Sequence, residues 1–193
     1  MPRKIPQIIS QEEFEKLLAY TLKQKKKNSK TYALAMLLAF EAGMRISELV
    51  GWKGISRRIN KKTGEVVVKD TYIPPLTKDM INFEQNTIKL KGKGGKERVV
   101  PLPKRVNKNA LNLLPLKLSR RSFQNYVTKT ALKVLEKHIT FHTQRHGFAT
   151  HYYNKTQDIR GLQVMLGHSR ADTTAIYAHV NPEKVIQRAR DVF

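Results

Sequence analysis

The segment from Thr140 to Tyr177 constrains the fold more than any other part of this sequence, because its polar residues and glycine divide it into three short helices. Thr140, Asp158 and Asp172 each precede helical sequence, and their side chains can accept hydrogen bonds from the first turn of a helix. Gly167 follows an apolar run and is typical of a helix C-terminus. The segment therefore predicts three consecutive helices joined by tight turns.

Four polar side chains occupy defined positions on these helices. His142 and Arg145 are three residues apart, so they share one face of the first helix. His168 directly follows the helix stop at Gly167, and Tyr177 lies in the third helix. The pattern places a guanidinium, two imidazoles and a phenol in one part of the chain.

An arginine occupies an unusual position upstream. Residues 31–42 form an apolar helical pattern, Gly43 is its natural stop, and Arg45 precedes the start of another helix. An arginine between two such elements is expected to be partly buried, and a buried guanidinium needs an anionic partner. That partner is either Glu48, three residues on, or a phosphate with Glu48 orienting the guanidinium from behind.

A lysine lies at the tip of a predicted β-hairpin. Residues 87–91 alternate as a strand, residues 92–95 form a glycine-rich turn, and residues 97–102 form the return strand. Glycines let the backbone approach a surface closely, so Lys93 at the tip can reach into a groove. On composition alone a solvated turn lysine is the simpler interpretation, and Lys96 is the neighbour that could be mistaken for Lys93.

The remaining elements complete the predicted fold. Ser10 begins a capping-box pattern ahead of a helix over 11–24. Ser119 is the expected N-cap of a helix that ends near residue 136, and a last helix is expected over 183–190. The predicted fold class is α+β: mostly helical, with a small antiparallel β-sheet.

The charge balance limits the partners of such a protein. Its 193 residues carry 37 Lys and Arg against 15 Asp and Glu, a formal net charge of +22, which predicts a polyanion partner, nucleic acid first. The longest apolar run, 32–40, is too short to span a bilayer, so no membrane partner is expected. The absence of cysteine excludes thiol chemistry and fits an intracellular chain.

The sequence resembles the tyrosine recombinases of the phage-integrase and Xer type. The resemblance is carried by five elements in this order: an arginine, a hairpin-tip lysine, His-x-x-Arg, Gly-His and a tyrosine near the C-terminus. The resemblance extends from about residue 5 to residue 193 and implies the catalytic-domain fold of that family. Gln144 stands where the family usually has leucine, and Phe141 replaces a common proline, but neither change removes a catalytic group. The catalytic residues implied, with Glu48 supporting, are Arg45, Lys93, His142, Arg145, His168 and Tyr177.

These residue types suit attack on a phosphodiester. The guanidinium groups of Arg45 and Arg145 can bind non-bridging oxygens in bidentate fashion, and His168 can donate a further hydrogen bond. Tyr177 is suited to act as nucleophile, with His142 as base or proton relay. No metal or cofactor is expected, because the two arginines carry the charge stabilisation. The resemblance adds a lysine general acid, Lys93, and a 3′-phosphotyrosyl intermediate.

Histidine spacing raises a different interpretation. His138, His142 and His146 are four residues apart, a spacing suited to metal ligands on one helix face. A zincin would need glutamate directly after His142, but that residue is Thr143. No cysteine or nearby acidic cluster completes a site, so the sequence does not favour a metal hydrolase.

The chain departs from the family pattern over 53–75, where relatives usually pass almost directly from the arginine-bearing helix to the sheet. An extra hairpin is predicted here, with a turn at 62–64 before the β-branched run 66–68. It either adds DNA contacts or covers a sheet edge. The candidate DNA-binding residues, in this hairpin and elsewhere, are Arg57, Arg58, Lys61, Lys62, Lys96, Arg120 and Arg121.

The resemblance also implies an assembly on double-stranded DNA. Four protomers would act on two DNA sites, so a homotetramer is expected on DNA, with weak association or a monomer without it. The expected location is the cytoplasm, at the nucleoid of a prokaryote or archaeon. Residues 1–193 are interpreted as one catalytic domain that lacks the N-terminal core-binding domain, so DNA binding should be weak and sensitive to salt.

Two other functions are compatible with these residues. DNA relaxation of the type IB topoisomerase kind uses the same constellation, and a DNA-binding regulator would keep the fold without cutting. A regulator would be free to lose Tyr177 or Lys93, and both are present. The sequence therefore favours a site-specific recombinase that cleaves and rejoins DNA in integration, excision or inversion.

Overall fold

The structure is a computed structural model, and it describes residues 8–60, 63–92 and 95–168. Lys61, Lys62, Lys93 and Tyr177, and the helices predicted after Asp172 and over 183–190, lie outside the described residues. The described helices are α1 (Gln11–Lys23), α2 (Ser29–Glu41), α3 (Ile46–Val50), α4 (Arg120–Leu135), α5 (Phe141–Thr156) and α6 (Ile159–Leu166). The described strands are β1 (Trp52–Ile59), β2 (Val66–Ile73), β3 (Ile81–Asn82), β4 (Thr87–Lys91) and β5 (Glu97–Pro101).

Helix α1 begins at the capping box that the sequence predicts. The Ser10 hydroxyl accepts from the Glu13 N–H at 3.2 Å, and the Glu13 carboxylate accepts from the Ser10 N–H at 3.0 Å. Phe14 is fully buried and stacks on Phe40 of α2, with ring centroids 4.0 Å apart. The prediction of a helix over 11–24 is thus confirmed to within one residue.

Helix α2 is the central helix of the core. Every residue from 33 to 40 is buried, so this helix has no polar face along that stretch. Helices α1 and α5 pack directly against it, and Tyr32 stacks on Tyr126 of α4 with centroids 3.8 Å apart. Among the described helices, none has the length and apolar character needed to cross a membrane.

The strands form two separate antiparallel sheets. Strands β3, β4 and β5 form one sheet in that order, with Ile88, Leu90 and Val100 buried against the helices. Strands β1 and β2 form a two-stranded hairpin over 52–73, where an extra hairpin was predicted within 53–75. The α+β fold class is confirmed, with the extra hairpin forming a sheet of its own beside the small antiparallel sheet.

Gly147 allows α5 to pack against α2 and Ile9 without a side chain between them. A Cβ atom at this position would lie 2.8 Å from the Phe40 ring and 3.0 Å from the Ile9 carbonyl oxygen. Thr140 caps the start of the helix, and its hydroxyl accepts from the Thr143 N–H at 3.2 Å. The close packing fixes the height of α5, and therefore of Arg145, relative to the end of α2.

Gln144 on α5 provides a test of core packing. The side chain is fully buried, and neither its amide nitrogen nor its oxygen has a hydrogen-bond partner within the described residues. An unpaired buried polar group costs about 1–3 kcal/mol. Gln144→Leu, a change of similar volume, is therefore expected to raise the free energy of unfolding by about 1–2 kcal/mol in urea denaturation.

A matched control is available on α4. The Gln124 amide donates to Thr128 and accepts from the Phe141 N–H, each at 3.2 Å. Gln124→Leu removes both bonds and is expected to lower the free energy of unfolding. A Gln144→Leu protein no more stable than the wild type would show that the Gln144 amide is satisfied in solution.

Candidate active site

Arg45 is held from its buried side by Glu48. Its backbone N–H donates to Glu48 Oε2 at 2.7 Å, and its Nη1 donates to Glu48 Oε1 at 3.0 Å. Its Nη2 donates to the Leu166 carbonyl oxygen at 3.1 Å. The Glu48 side chain is 2% exposed and that of Arg45 is 35% exposed, so the guanidinium is fixed from within and remains accessible to a ligand.

Arg145 joins three helices at one point. Its side chain is buried, and its guanidinium donates to the carbonyl oxygens of Gly43 and Leu166, the latter at 2.7 Å. Leu166 ends α6, where carbonyl groups have no partner within the helix. Its oxygen also accepts from Arg45. One carbonyl group therefore orients both of the predicted phosphate-binding arginines.

A third arginine, Arg98 on β5, completes this cluster. Its Nη2 lies 2.8 Å from Glu48 Oε2, and its Nη1 donates to the Met165 carbonyl oxygen at 3.0 Å. Its side chain is 8% exposed. Burial lowers the pKa of Arg98, while the Glu48 carboxylate acts in the opposite direction. Glu48 thus pairs its single negative charge with two arginines, and the cluster remains cationic.

His168 lies directly after α6. Asp158 caps the start of α6, where its carboxylate accepts from the Gly161 N–H at 2.7 Å, and Gly167, with a φ of 61°, caps the end. The His168 N–H donates to the Gln163 carbonyl oxygen at 3.1 Å. Burial, followed by the charges of nearby arginines, lowers the pKa of His168 to about 4. The imidazole is therefore neutral at pH 7 and suited to donate a hydrogen bond.

His142 occupies the first turn of α5, one turn before Arg145. Its ring is open to solvent on one side and meets the His146 ring edge-on, with centroids 4.6 Å apart. Partial burial, then the charges of Arg145 and Arg45, lowers the pKa of His142. The cationic field that acts on His168 therefore also acts on His142, and both imidazoles are favoured in the neutral form.

A cleft opens over the arginine cluster. It has a volume of about 620 Å³ and is lined by Arg45, Glu48, Gly92, Lys96, Arg98, Arg120 and His168, among others. Gly92 immediately precedes Lys93, and a Cβ atom at Gly92 would lie 3.8 Å from Glu48 Oε1. The β4–β5 turn that carries Lys93 therefore starts beside the cluster. The cleft is strongly cationic and suits a phosphate group.

Comparison with known proteins agrees with this geometry. The model of the phage integrase family matches residues 111–184. The tyrosine recombinase XerD of Staphylococcus saprophyticus is 30% identical over 205 residues, which cover 95% of this chain and 61% of that protein. The tyrosine recombinase XerA of Thermococcus kodakarensis is 29% identical over 201 residues, covering 95% and 61%. These matches support a tyrosine recombinase catalytic domain. The chain spans about three fifths of the length of these curated relatives.

Solved structures of recombinases show the same fold. The XerH site-specific recombinase bound to palindromic difH substrate, in a post-cleavage complex, is 25% identical and superposes with a TM-score of 0.70 over 96% of this chain and 53% of that one. The catalytic domain of bacteriophage HP1 integrase is 21% identical, with a TM-score of 0.59 over 96% of this chain and 94% of that one. The described residues thus have the fold of a tyrosine recombinase catalytic domain.

The structure places the residues proposed from sequence in different positions relative to the cleft. Arg45, Glu48 and His168 line one cleft, with Arg145 buried beside it and bonded to the same Leu166 carbonyl as Arg45. Of the DNA-binding candidates, Lys96 and Arg120 line the cleft, Arg121 is exposed outside it, and Arg57 is exposed on β1.

Sequence reasoning missed Arg98. The available signal was the alternation of β5, in which Arg98 shares a face with the buried Val100 and pairs with the buried Leu90. An arginine at an inward-facing strand position predicts a buried anionic partner, which here is Glu48.

The histidine series at 138, 142 and 146 does not lie on one helix. Helix α5 begins at Phe141, so His138 belongs to the preceding connection. Within the part of the chain that the structure describes, no group of three His, Cys, Asp or Glu is placed to hold a metal ion. The four-residue spacing therefore does not produce a shared ligand face.

The environment of His146 predicts how the stability of the protein depends on pH. Burial, followed by His142 and Arg145, lowers the pKa of His146 to about 4, against about 6.5 in the unfolded chain. Between these values the unfolded state binds more protons, so the free energy of unfolding is retained above pH 6.5 and falls as the pH drops toward 4. We expect His146→Asn to flatten this dependence in urea denaturation between pH 7 and 5. The exposed His138→Asn is the control, and an equal slope in both variants would contradict the assignment.

Proposed function

We propose that this protein is a site-specific DNA recombinase that cleaves and rejoins double-stranded DNA through a 3′-phosphotyrosyl intermediate. The observation that carries the proposal is the cationic cleft lined by Arg45, Arg98 and His168 around the buried Glu48. Arg145 lies beside this cleft and bonds to the same Leu166 carbonyl as Arg45. The names of its relatives, and the difH substrate bound in the XerH structure, support DNA as the substrate. The net charge of +22 supports the same partner.

In the proposed reaction, the arginines and His168 stabilise the charge on the non-bridging oxygens of the scissile phosphate. A guanidinium has five N–H donors in one plane, so the bonds of Arg45 to Glu48 and Leu166 also fix the direction of its other N–H groups. These donors are held in place before the substrate arrives, which is the condition for strong stabilisation of developing charge.

Tyr177 supplies the nucleophile in this proposal. Free tyrosine has a pKa of about 10, so about one thousandth is ionised at neutral pH, a deficit of about 4 kcal/mol. A cationic cleft favours the phenolate, and neutral His142 can accept the proton. The phenolate oxygen bonds to phosphorus as the bond to the 5′ oxygen breaks, and Lys93 protonates the leaving oxygen. A 5′-hydroxyl of a partner strand then reverses these steps, so the number of phosphodiester bonds is conserved.

The assembly and location are proposed on the same basis. Four protomers would bring two DNA sites together, and the chain without DNA would be monomeric or weakly associated. Residues 1–193 would act as the catalytic domain, and the expected location is the cytoplasm, at the nucleoid.

Covalent trapping tests the proposed chemistry. Wild-type protein and Tyr177→Phe are mixed with fragments of the source genome and denatured with detergent, and the ends of protein-linked DNA are sequenced. We expect adducts that require Tyr177 and cluster at one sequence. Adducts scattered without preference, with relaxation but no joining of two duplexes, would indicate a topoisomerase-like activity. Tight binding without adducts, even on a nicked substrate that blocks religation, would indicate a regulator.

A further inference from the structure

The β1–β2 hairpin has one face that is exposed along its whole length. The strands pair without interruption from Trp52 with Ile73 to Ile59 with Val66. Side chains alternate along a strand, so residues 53, 55, 57 and 59 share a face with residues 66, 68, 70 and 72. We call this the outer face, and each of its residues is exposed. It consists of Lys53, Ile55, Arg57, Ile59, Val66, Val68, Asp70 and Tyr72.

The hairpin is rooted at the rim of the candidate active site. On the opposite face, Thr71 and Ile73 are buried and Trp52 is half-buried. Trp52 and Ile73 also line the cleft that contains Arg45 and His168. Among the described strands, neither β1 nor β2 pairs with the three-stranded sheet. Of the two roles that the sequence left open for this hairpin, the structure does not favour covering a sheet edge.

The dimensions and charge of the hairpin match a DNA groove. Eight residues per strand give a ribbon about 26 Å long with strands about 5 Å apart. The major groove is about 12 Å wide and admits a two-stranded ribbon. The segment 52–73 carries six Lys or Arg and two Asp or Glu, and Lys53, Arg57 and Asp70 are the charged residues on the outer face. Exposed Ile and Val side chains can contact thymine methyl groups, while the cations contact phosphates and base edges.

We propose that the β1–β2 hairpin is a DNA-contacting ribbon that lies in the major groove beside the cleaved phosphate, with its outer face toward the DNA. The proposal rests on the recombinase function proposed above. A second copy of the chain is the other occupant that an exposed apolar face suggests. Two copies each carry a net charge of +22 and repel each other, whereas DNA attracts both the hairpin and the adjacent cleft.

Charge-neutralising variants of the outer face test this assignment. We compare Lys53→Gln/Arg57→Gln with Asp70→Asn, measuring affinity for a fluorescent mixed-sequence duplex at several salt concentrations. The double variant is expected to bind about tenfold more weakly at 0.1 M salt. The slope of log affinity against log salt concentration is expected to be smaller by about 2, because two phosphate contacts are lost. Asp70→Asn is expected to bind more tightly. The exposed pair Lys108→Gln/Lys117→Gln is the matched control, and a hairpin double variant that binds like this control would overturn the proposal.

The absence of cysteine allows the ribbon to be located on DNA. Val68→Cys introduces a single thiol on the outer face, to which a DNA-cleaving iron chelate is attached. We expect cuts within a few base pairs of the Tyr177 adduct, and none there from the same label on Glu12→Cys at the exposed start of α1. Equal cutting by both labels, or none from Val68→Cys on bound DNA, would contradict the assignment.

The same samples separate this proposal from the proposed function. A wild-type protein that neither binds DNA nor forms an adduct would remove the recombinase function itself. Adduct formation with hairpin variants that bind normally would remove only the ribbon. Sedimentation of the protein without DNA measures self-association. If Ile55→Ser/Val68→Ser loses self-association but binds DNA as the wild type does, the outer face binds a second copy and the proposal is overturned.

Discussion

Replacing Glu48 with alanine is expected to lower the free energy of unfolding by about 3–5 kcal/mol. The carboxylate is 2% exposed and accepts from the Arg45 N–H, from Arg45 Nη1 and from Arg98 Nη2. Without it, Arg98 would remain a buried cation with no carboxylate beside it in the described structure. Urea denaturation at pH 7 measures the loss.

Two further variants identify the cause of that loss. Glu48→Leu/Arg98→Met removes both charges, so it is expected to recover most of the stability while DNA cleavage stays low. Glu15→Ala breaks a pair with Arg105 in which the Glu15 side chain is 44% exposed, and it is expected to cost less than about 1 kcal/mol. If Glu48→Ala costs no more than Glu15→Ala, Glu48 does not hold the arginine cluster together.

Much of the helical framework could be predicted because its signals are local. Ser10, Thr140 and Asp158 each bond a backbone N–H within three residues, so the cap and the helix start are read from the same few positions. Gly167 ends α6 in the left-handed conformation that glycine adopts without strain. Where no side-chain cap marks the start, as at α2, the start is predicted less well. The predicted start of α2 was residue 31, two residues after the observed Ser29.

The arginine cluster could be predicted only in part, because its partners are distant in sequence. Glu48 follows Arg45 by three residues, and that pairing was anticipated. The same carboxylate meets Arg98 across 50 residues, and the Leu166 carbonyl meets Arg45 across 121. Every residue type carries the same backbone carbonyl group, so the sequence cannot show which of them will orient an arginine.

The DNA-binding candidates were separable only in three dimensions. Arg120 and Arg121 are adjacent, and successive residues on a helix point about 100° apart. Arg120 therefore lines the cleft, while Arg121 is exposed outside it. The sequence could identify both as basic residues at a helix start, but not which one faces the cluster.

Arg145→Lys is expected to slow formation of the covalent DNA adduct by about 10²–10³-fold. Lysine keeps the charge but has no planar fork, so it cannot bond to the Gly43 and Leu166 carbonyls in the same arrangement while also presenting donors to a phosphate. The rate is measured in single-turnover reactions on a nicked duplex that traps the adduct. DNA affinity is measured on the same substrate and is expected to change much less, because binding draws on many phosphate contacts.

The control for this variant is Arg105→Lys. Arg105 bonds Glu15 and Glu41 on the surface, so its replacement changes an arginine fork without touching the cleft, and the adduct should form at the wild-type rate. Circular dichroism below the unfolding transition establishes that both variants are folded during the assay. A rate for Arg145→Lys within threefold of the wild type, roughly 0.7 kcal/mol of activation free energy, would limit Arg145 to joining α2, α5 and α6 and would leave Arg45 as the main phosphate ligand.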